Sequence, residues 1–239
     1  MTTLSILNQQ SPEKRNARDD GALDVHSIFP TIQGEGPFAG TPCVFVRLAA
    51  CNLQCPSCDT EYLIGRQLVS VTDLVRKVRW LRSYGLVVIT GGEPFRQACG
   101  RAVMALVNAG YQVQFETNGT IYDPTMELVW REPVDDHQVT IVCSPKTGDI
   151  SDQLKPHVTA LKYILSAGEV DADGLPTSSL NFGVQPCRPW KEFTGQVFLQ
   201  ACDSRDESIN RANQQAAIAS CLKFGYRFCY QIHKAVDLP

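Results

Sequence analysis

The stretch "RLAACNLQCPSCDTEY", residues 47–62, places Cys51, Cys55 and Cys58 in one short loop. It continues a β-branched, apolar run that predicts a strand over Cys43–Ala49, so the thiols follow a strand end. Three clustered cysteines are the start of a zinc knuckle, a disulfide pair or an iron–sulfur cluster with one open iron. Structural zinc wants four tetrahedral ligands, commonly as two close pairs. His26, His137, His157 and His233 are isolated from one another and no second cysteine pair has knuckle spacing, so zinc would need a remote ligand such as Cys43. A [4Fe–4S] cluster on three thiolates instead leaves one iron free to bind a substrate or cofactor.

The chain of 239 residues is 44% hydrophobic and 20% charged, enough for one large α/β domain with its own core. A net charge of -3 supplies no basic field for nucleic acid or anionic lipid, and a small-molecule substrate is expected. No apolar run approaches the roughly 20 residues that cross a bilayer, and the N-terminus lacks the apolar stretch of a signal peptide. A cytoplasmic protein without nucleic-acid or membrane partners is therefore expected. In that setting ten cysteines point to metal binding or ordinary burial, with Cys99, Cys143, Cys187, Cys221 and Cys229 as inert thiols.

Residues 1–24 are polar and aperiodic and read as a flexible tail, with the domain spanning 25–239. Further strands are predicted at Leu86–Ile89, Gln112–Phe115, Val139–Val142, Val158–Ile164, Gln196–Leu199 and Tyr226–Tyr230. Between them "SVTDLVRKVRWLRSYG" has a capping pair in Ser70 and Asp73 and an apolar stripe at Val71, Leu74, Val75, Val78 and Leu81. "RAVMALVNAG" and "ESINRANQQAAIASCLKFG" predict two more helices, ending at Gly110 and Gly225. Strands alternating with helices give a mainly parallel sheet, open or curled toward a barrel, whose active site sits where the strands end. The cysteine loop, Thr90–Glu93, Glu116–Gly119, Ser144–Lys146, Gln200–Asp203 and Gln231–Lys234 all fall at such ends.

The CxxxCxxC loop together with "TGGEP" resembles the radical S-adenosylmethionine (SAM) superfamily. "FPTIQGEG" (residues 29–36), "FVRLAACNLQCPSCDT" (45–60), "VVITGGEP" (87–94), "FETNGT" (115–120), "VCSPK" (142–146) and "QIHKAVDLP" (231–239) narrow the resemblance to the 7-carboxy-7-deazaguanine synthases, in register from about Val25 to Pro239. The resemblance implies an incomplete, modified radical-SAM barrel. It also implies a lyase of queuosine and deazapurine biosynthesis that converts 6-carboxy-5,6,7,8-tetrahydropterin to 7-carboxy-7-deazaguanine with loss of ammonia.

By the same resemblance Cys51, Cys55 and Cys58 hold the [4Fe–4S] cluster, whose open iron chelates the methionyl end of SAM, and Thr60 binds Mg²⁺. An electron from the cluster cleaves SAM to a radical that takes a hydrogen from the substrate. SAM would lie against Ser57, Asp59, Gly92, Glu93, Glu116, Asn118, Ser144, Pro145, Lys146 and the run Gln200, Ala201, Cys202 and Asp203. Ile32, Gln33, Gly34, Glu35, Arg47, Thr90, His233 and Pro239 would bind the substrate. A homodimer and a flavodoxin- or ferredoxin-type electron donor are implied as partners. Three positions depart from the pattern: Ser57 stands where an aromatic residue is usual, Ala50 where Gly is frequent and Ala201 where Pro is common.

The residues carry part of this unaided. Gly91 and Gly92 would let a ligand approach their backbone, and Glu93 would accept from an ammonium. Arg47 lies inside an apolar strand, where a guanidinium needs an anion, either a substrate carboxylate or Glu35. Two other functions remain open at this point: an activase that installs a glycyl radical on a protein, and a non-catalytic zinc-binding module.

Overall fold

Nine strands form one sheet, described by a computed structural model over residues 8–16, 18, 20–82, 84–132 and 138–239. His137 and part of the expected N-terminal tail lie outside these residues. The strands are β1 (Leu23–Ile32), β2 (Pro42–Leu48), β3 (Gln67–Val69), β4 (Gly85–Gly91), β5 (Tyr111–Thr117), β6 (Val139–Cys143), β7 (Ala160–Leu165), β8 (Gln196–Ala201) and β9 (Arg227–Cys229). Their order is β3-β1-β2-β4-β5-β6-β7-β8-β9. From β2 to β9 every pairing is parallel, whereas β1 runs antiparallel to β2 and β3. The sheet has two free edges, at β3 and β9, so this is a partial barrel, as expected.

Every strand predicted from β-branched runs is present, with ends moved by one or two residues. β1 and β3 were not predicted. β1 carries Pro30, which demotes a run, but β3 pairs only with Leu23–Val25; beyond that point the outer side of β1 is an edge, where proline is tolerated. The first strand accordingly begins at Leu23. Residues 8–16, placed by sequence in a loose tail, run along the cysteine loop and hydrogen-bond to it.

Three main helices cover the convex face: α1 (Val71–Leu81), α2 (Gly100–Asn108) and α4 (Glu207–Phe224), with a single-turn α3 (Glu127–Trp130) between β5 and β6. The Ser70 hydroxyl caps α1 by accepting from the Asp73 N–H at 3.1 Å. Leu74 and Val78 of α1 are fully buried, worth about 1.5–3 kcal/mol each. The β7–β8 connection, residues 166–195, contains no helix.

Alternation sorts the strand residues. Val44, Val46, Leu48, Val87, Ile89, Val113, Phe115, Leu161, Tyr163 and Leu199 join the helices in the main core. Their neighbours Arg47, Thr90, Gln114, Glu116, Lys162 and Gln200 therefore point to the concave side, a polar row inside a parallel sheet. Register aligns it, with Arg47 opposite Thr90 and Ile164 opposite Gln200.

Ala50, in the position where glycine is frequent, has φ of 63°. A side chain costs about 1–2 kcal/mol in this left-handed region, and glycine gives back about 0.4–1 through its freer unfolded chain. Ala50→Gly should thus raise stability by about 0.5–1 kcal/mol, read as a higher urea midpoint with an unchanged slope; a lower midpoint would contradict the strain.

Candidate active site

The polar row opens into a cleft of about 350 Å³. β1 and its following turn supply Gln33 and Glu35, β2 supplies Arg47, and the cysteine loop supplies Ser57, Asp59 and Thr60. β4, β5, β7 and β8 add Thr90, Glu116, Lys162 and Gln200, and the C-terminal segment closes it with Gln231, His233, Lys234 and Pro239. The C-terminal strand ends thus build the site, as the topology requires.

Arg47 is half-buried, its guanidinium 5.3 Å from the Phe29 ring centroid, and its buried Nε has no hydrogen-bond partner. Burial lowers its pKa, while Asp59 and Glu116 raise it. An orphaned donor beside an open cleft is suited to a ligand carboxylate. Glu35, the alternative partner predicted for Arg47, pairs instead with Lys162. Burial disfavours both charges, but their attraction wins: Lys162 is held above and Glu35 below its ordinary pKa. Gln231 Nε2 donates to the second Glu35 oxygen at 2.7 Å.

Gln33 Nε2 and the Thr90 hydroxyl donate to the two oxygens of Glu116, each at 3.0 Å. Glu116, predicted against the cofactor, is thereby bonded to two residues predicted against the substrate. His233 packs on Gly34 so closely that a Cβ there would enter the imidazole ring. The Pro239 carbonyl accepts from the Thr31 hydroxyl at 3.0 Å, holding Pro239 at the cleft. Lys234 reaches Asp59 at 3.2 Å and Asp203 at 2.9 Å, linking the three rims; its hydrogen bond holds the Asp203 carboxyl down at about 2.

The remaining predicted residues lie beside or beneath this cleft. Ile32 and Gly34 do not line it, and Ala201 and Cys202 line a lateral pocket of about 190 Å³. Gly92, Glu93, Asn118, Ser144, Pro145 and Lys146 lie under the cysteine loop, outside the cleft lining. Gly91 and Gly92 serve a contact different from the one predicted: a Cβ on either would strike the backbone of Leu48–Cys51. Their missing side chains let the β4 end support the start of the cysteine loop, fixed by Gly92 N–H to Leu48 C=O (3.2 Å) and Glu93 N–H to Ala50 C=O (3.0 Å). Glu93 is fully enclosed and accepts from Phe95 N–H, Thr117 Oγ1 and Asn118 N–H at 2.7–3.0 Å. Burial pushes it up to about 7.

Cys51, Cys55 and Cys58 are all free thiols. Burial raises all three pKa values, and the charge of Cys58 adds to the rise at both Cys51 and Cys55. No three His, Cys, Asp or Glu among the described residues converge on a single ion. A cluster asks for less, since each thiolate binds a different iron. Cys43, the remote zinc ligand considered above, starts β2 while the loop follows its other end, so zinc loses its fourth ligand. Lys146 is buried; its Nζ donates to the Ser144 carbonyl and hydroxyl at 2.8 and 2.6 Å. Burial lowers its pKa, and negative charge on Cys55 and Cys58 opposes that shift. A buried amine whose charge thiolates would favour suits an anionic, thiolate-held group, so the donor set fits an iron–sulfur cluster.

Sequence reasoning missed Lys162, Asn52, Leu180 and Asn181, and gave Lys234 a place at a strand end but no role. Lys162 carried the signal used for Arg47, a charge inside an apolar strand. Asn52 accepts from Asn118 Nδ2 at 2.9 Å, and Asn181 Nδ2 donates to Ser57 Oγ at 2.7 Å, so the polar Ser57 has a partner where an aromatic residue is usual. Nothing local in sequence links residues 57 and 181.

No family model matches the chain. A 7-carboxy-7-deazaguanine synthase from Rhodospirillum rubrum is 40% identical over 232 residues, 92% of this chain and 94% of the relative. One from Rickettsia prowazekii is 36% identical, over 95% of this chain and 94% of the relative. The crystal structure of QueE from Escherichia coli superimposes with a TM-score of 0.62 at 19% identity, covering 87% of this chain and 92% of that one, a likeness of fold. With two relatives matched at this identity across nearly their full length, the chain belongs to the 7-carboxy-7-deazaguanine synthase family.

Proposed function

We propose that the chain is a radical SAM enzyme that converts 6-carboxy-5,6,7,8-tetrahydropterin to 7-carboxy-7-deazaguanine with loss of ammonia. The observation that carries this reading is the Arg47 guanidinium, its buried Nε unpartnered, facing a cleft next to three free thiols. A [4Fe–4S] cluster on Cys51, Cys55 and Cys58, with SAM on its open iron, supplies the one-electron bond cleavage that such a reaction needs. Arg47 binds the substrate carboxylate through two parallel hydrogen bonds. Gln33 and Thr90, turned toward the cleft by Glu116, present amide and hydroxyl groups to the ring. His233 and Pro239 close the remaining side of the cleft.

Ser57, Asp59, Gln200 and Asp203 face the cofactor side of the same cleft. Thr60 Oγ1, 3.3 Å from an Asp59 oxygen, offers the hard oxygen donors that Mg²⁺ prefers. The catalytic unit spans 25–239 and works as a cytoplasmic homodimer supplied with electrons by a flavodoxin- or ferredoxin-type protein. No described helix is long and apolar enough to cross a membrane. The glycyl-radical activase reading gives no role to the unpartnered Arg47 guanidinium in the cleft.

Arg47→Ala should weaken substrate binding by about 1.5–3 kcal/mol, roughly ten- to a hundredfold, the scale of a hydrogen bond to a charged group. Titration of the reconstituted protein with substrate reads this directly, and unchanged affinity would remove the carboxylate from Arg47.

A further inference from the structure

The cysteine loop is irregular, and within residues 51–62 its backbone makes one hydrogen bond of its own, Cys58 N–H to Cys55 C=O at 3.1 Å. A loop so thinly bonded does not hold three thiols in place unaided. Of its backbone groups bonded from outside, Tyr62 C=O accepts from Ala50 N–H and Ser57 N–H donates to Leu180 C=O, and residues 8–16 meet those of Cys51, Pro56, Thr60 and the Tyr62 N–H. The N–H of Asn8 donates to Pro56 C=O at 2.9 Å, and the Asn8 C=O accepts from Gln54 Nε2 at 3.0 Å. Gln10 grips the exit of the loop with both ends of its amide: Nε2 donates to Thr60 C=O at 2.8 Å and Oε1 accepts from Tyr62 N–H at 2.9 Å. At the entry, Glu13 N–H donates to Cys51 C=O at 2.7 Å.

The segment is itself tied down. The Glu13 carboxylate lies 2.7 Å from Arg66 and 3.5 Å from the buried Arg96, whose guanidinium donates to Lys14 C=O and Ala49 C=O at 3.0 and 3.2 Å. Asn16 N–H returns a bond to Arg96 C=O at 2.8 Å. The chain thus touches the entry, tip and exit of the loop and anchors on the helical turn after Glu93.

We propose that residues 8–16 are a strap that fixes the shape of the cysteine loop, with Gln10 as its positioning residue. The consequence for a cluster rests on the functional reading above, but the strap itself does not. Gln10 touches no thiol and acts through the backbone of Thr60 and Tyr62. Without it the loop opens more often, the thiols meet solvent, and a bound cluster is lost sooner.

The test is site-resolved alkylation of the full-length apo-protein by a maleimide, followed by peptide mass mapping. Gln10→Ala should speed modification of Cys55 and Cys58 about thirtyfold, the factor for two ordinary hydrogen bonds lost from a loop that opens before it reacts. Cys43 and Cys99, buried in the sheet and under α2, should keep their rates. Gln10→Glu, which retains the acceptor for Tyr62 N–H but not the donor to Thr60, should fall between. Unchanged rates at Cys55 and Cys58, or equal acceleration at all four cysteines, would overturn the strap. On reconstituted protein, air bleaching of the visible absorbance should follow the same order of variants. Wild-type protein that never takes up a coloured cluster would sink the functional reading and leave the alkylation result standing.

Discussion

Replacing Cys51, Cys55 or Cys58 by Ala should each abolish the brown colour of anaerobically reconstituted protein and all SAM cleavage. A [4Fe–4S] cluster on three thiolates has no spare protein ligand, so loss of one leaves two open irons and an unstable assembly. The apo-variants should fold as wild type does, because a small thiol-to-methyl change at the loop disturbs little of the core. Cys143→Ala, at a buried thiol ending β6, should by contrast keep the colour. Retained colour and cleavage in any one of the three loop variants would refute the assignment of that cysteine.

The second large effect concerns Lys162. Lys162→Met removes the cation from a buried pair and leaves the Glu35 carboxylate enclosed, with Gln231 as a neutral donor. Breaking such a pair from one side costs about 3–5 kcal/mol. The pH dependence has a definite sign. In the variant, burial raises the Glu35 pKa above its unfolded value of about 4.3, so the folded state gains a proton relative to the unfolded one. Stability is then highest below the unfolded value and is lost as pH rises through the folded one. Adding Glu35→Gln should recover much of the loss, because the uncompensated charge is gone. Denaturant unfolding of the single and double variants reads this; a double variant no more stable than Lys162→Met would show that the pair is not the source.

How far the chain can be read without coordinates follows from the range of its interactions. The parallel core strands were legible because both faces are buried and their β-branched runs are continuous, and α1 because Ser70 and Asp73 mark its start. β1 was not, since its pairing is antiparallel and Pro30 breaks its pattern. At the site, the motif residues and the strand-end rule brought the polar row together, and the charge of Arg47 inside β2 marked it as a residue in need of an anion. Its partner was not predictable: Glu35 meets Lys162 across 127 positions of sequence. The glycine pair of "TGGEP" was read as space for a ligand, whereas its space is taken by the backbone of the neighbouring strand end. Glu93 was read as an open acceptor, but local hydrogen bonds from Phe95, Thr117 and Asn118 enclose it. Composition marked residues 8–16 as loose because their stability comes from the loop they touch and from no core of their own.

The central claim is tested most directly by one anaerobic turnover experiment. Reconstituted protein is supplied with SAM, dithionite, Mg²⁺ and 6-carboxy-5,6,7,8-tetrahydropterin, and the products are followed by mass. The account predicts 7-carboxy-7-deazaguanine in many turnovers per enzyme, with little net consumption of SAM and none formed by Cys55→Ala. SAM cleavage without the deazaguanine would contradict the assigned substrate and with it the role given to the Arg47 pocket.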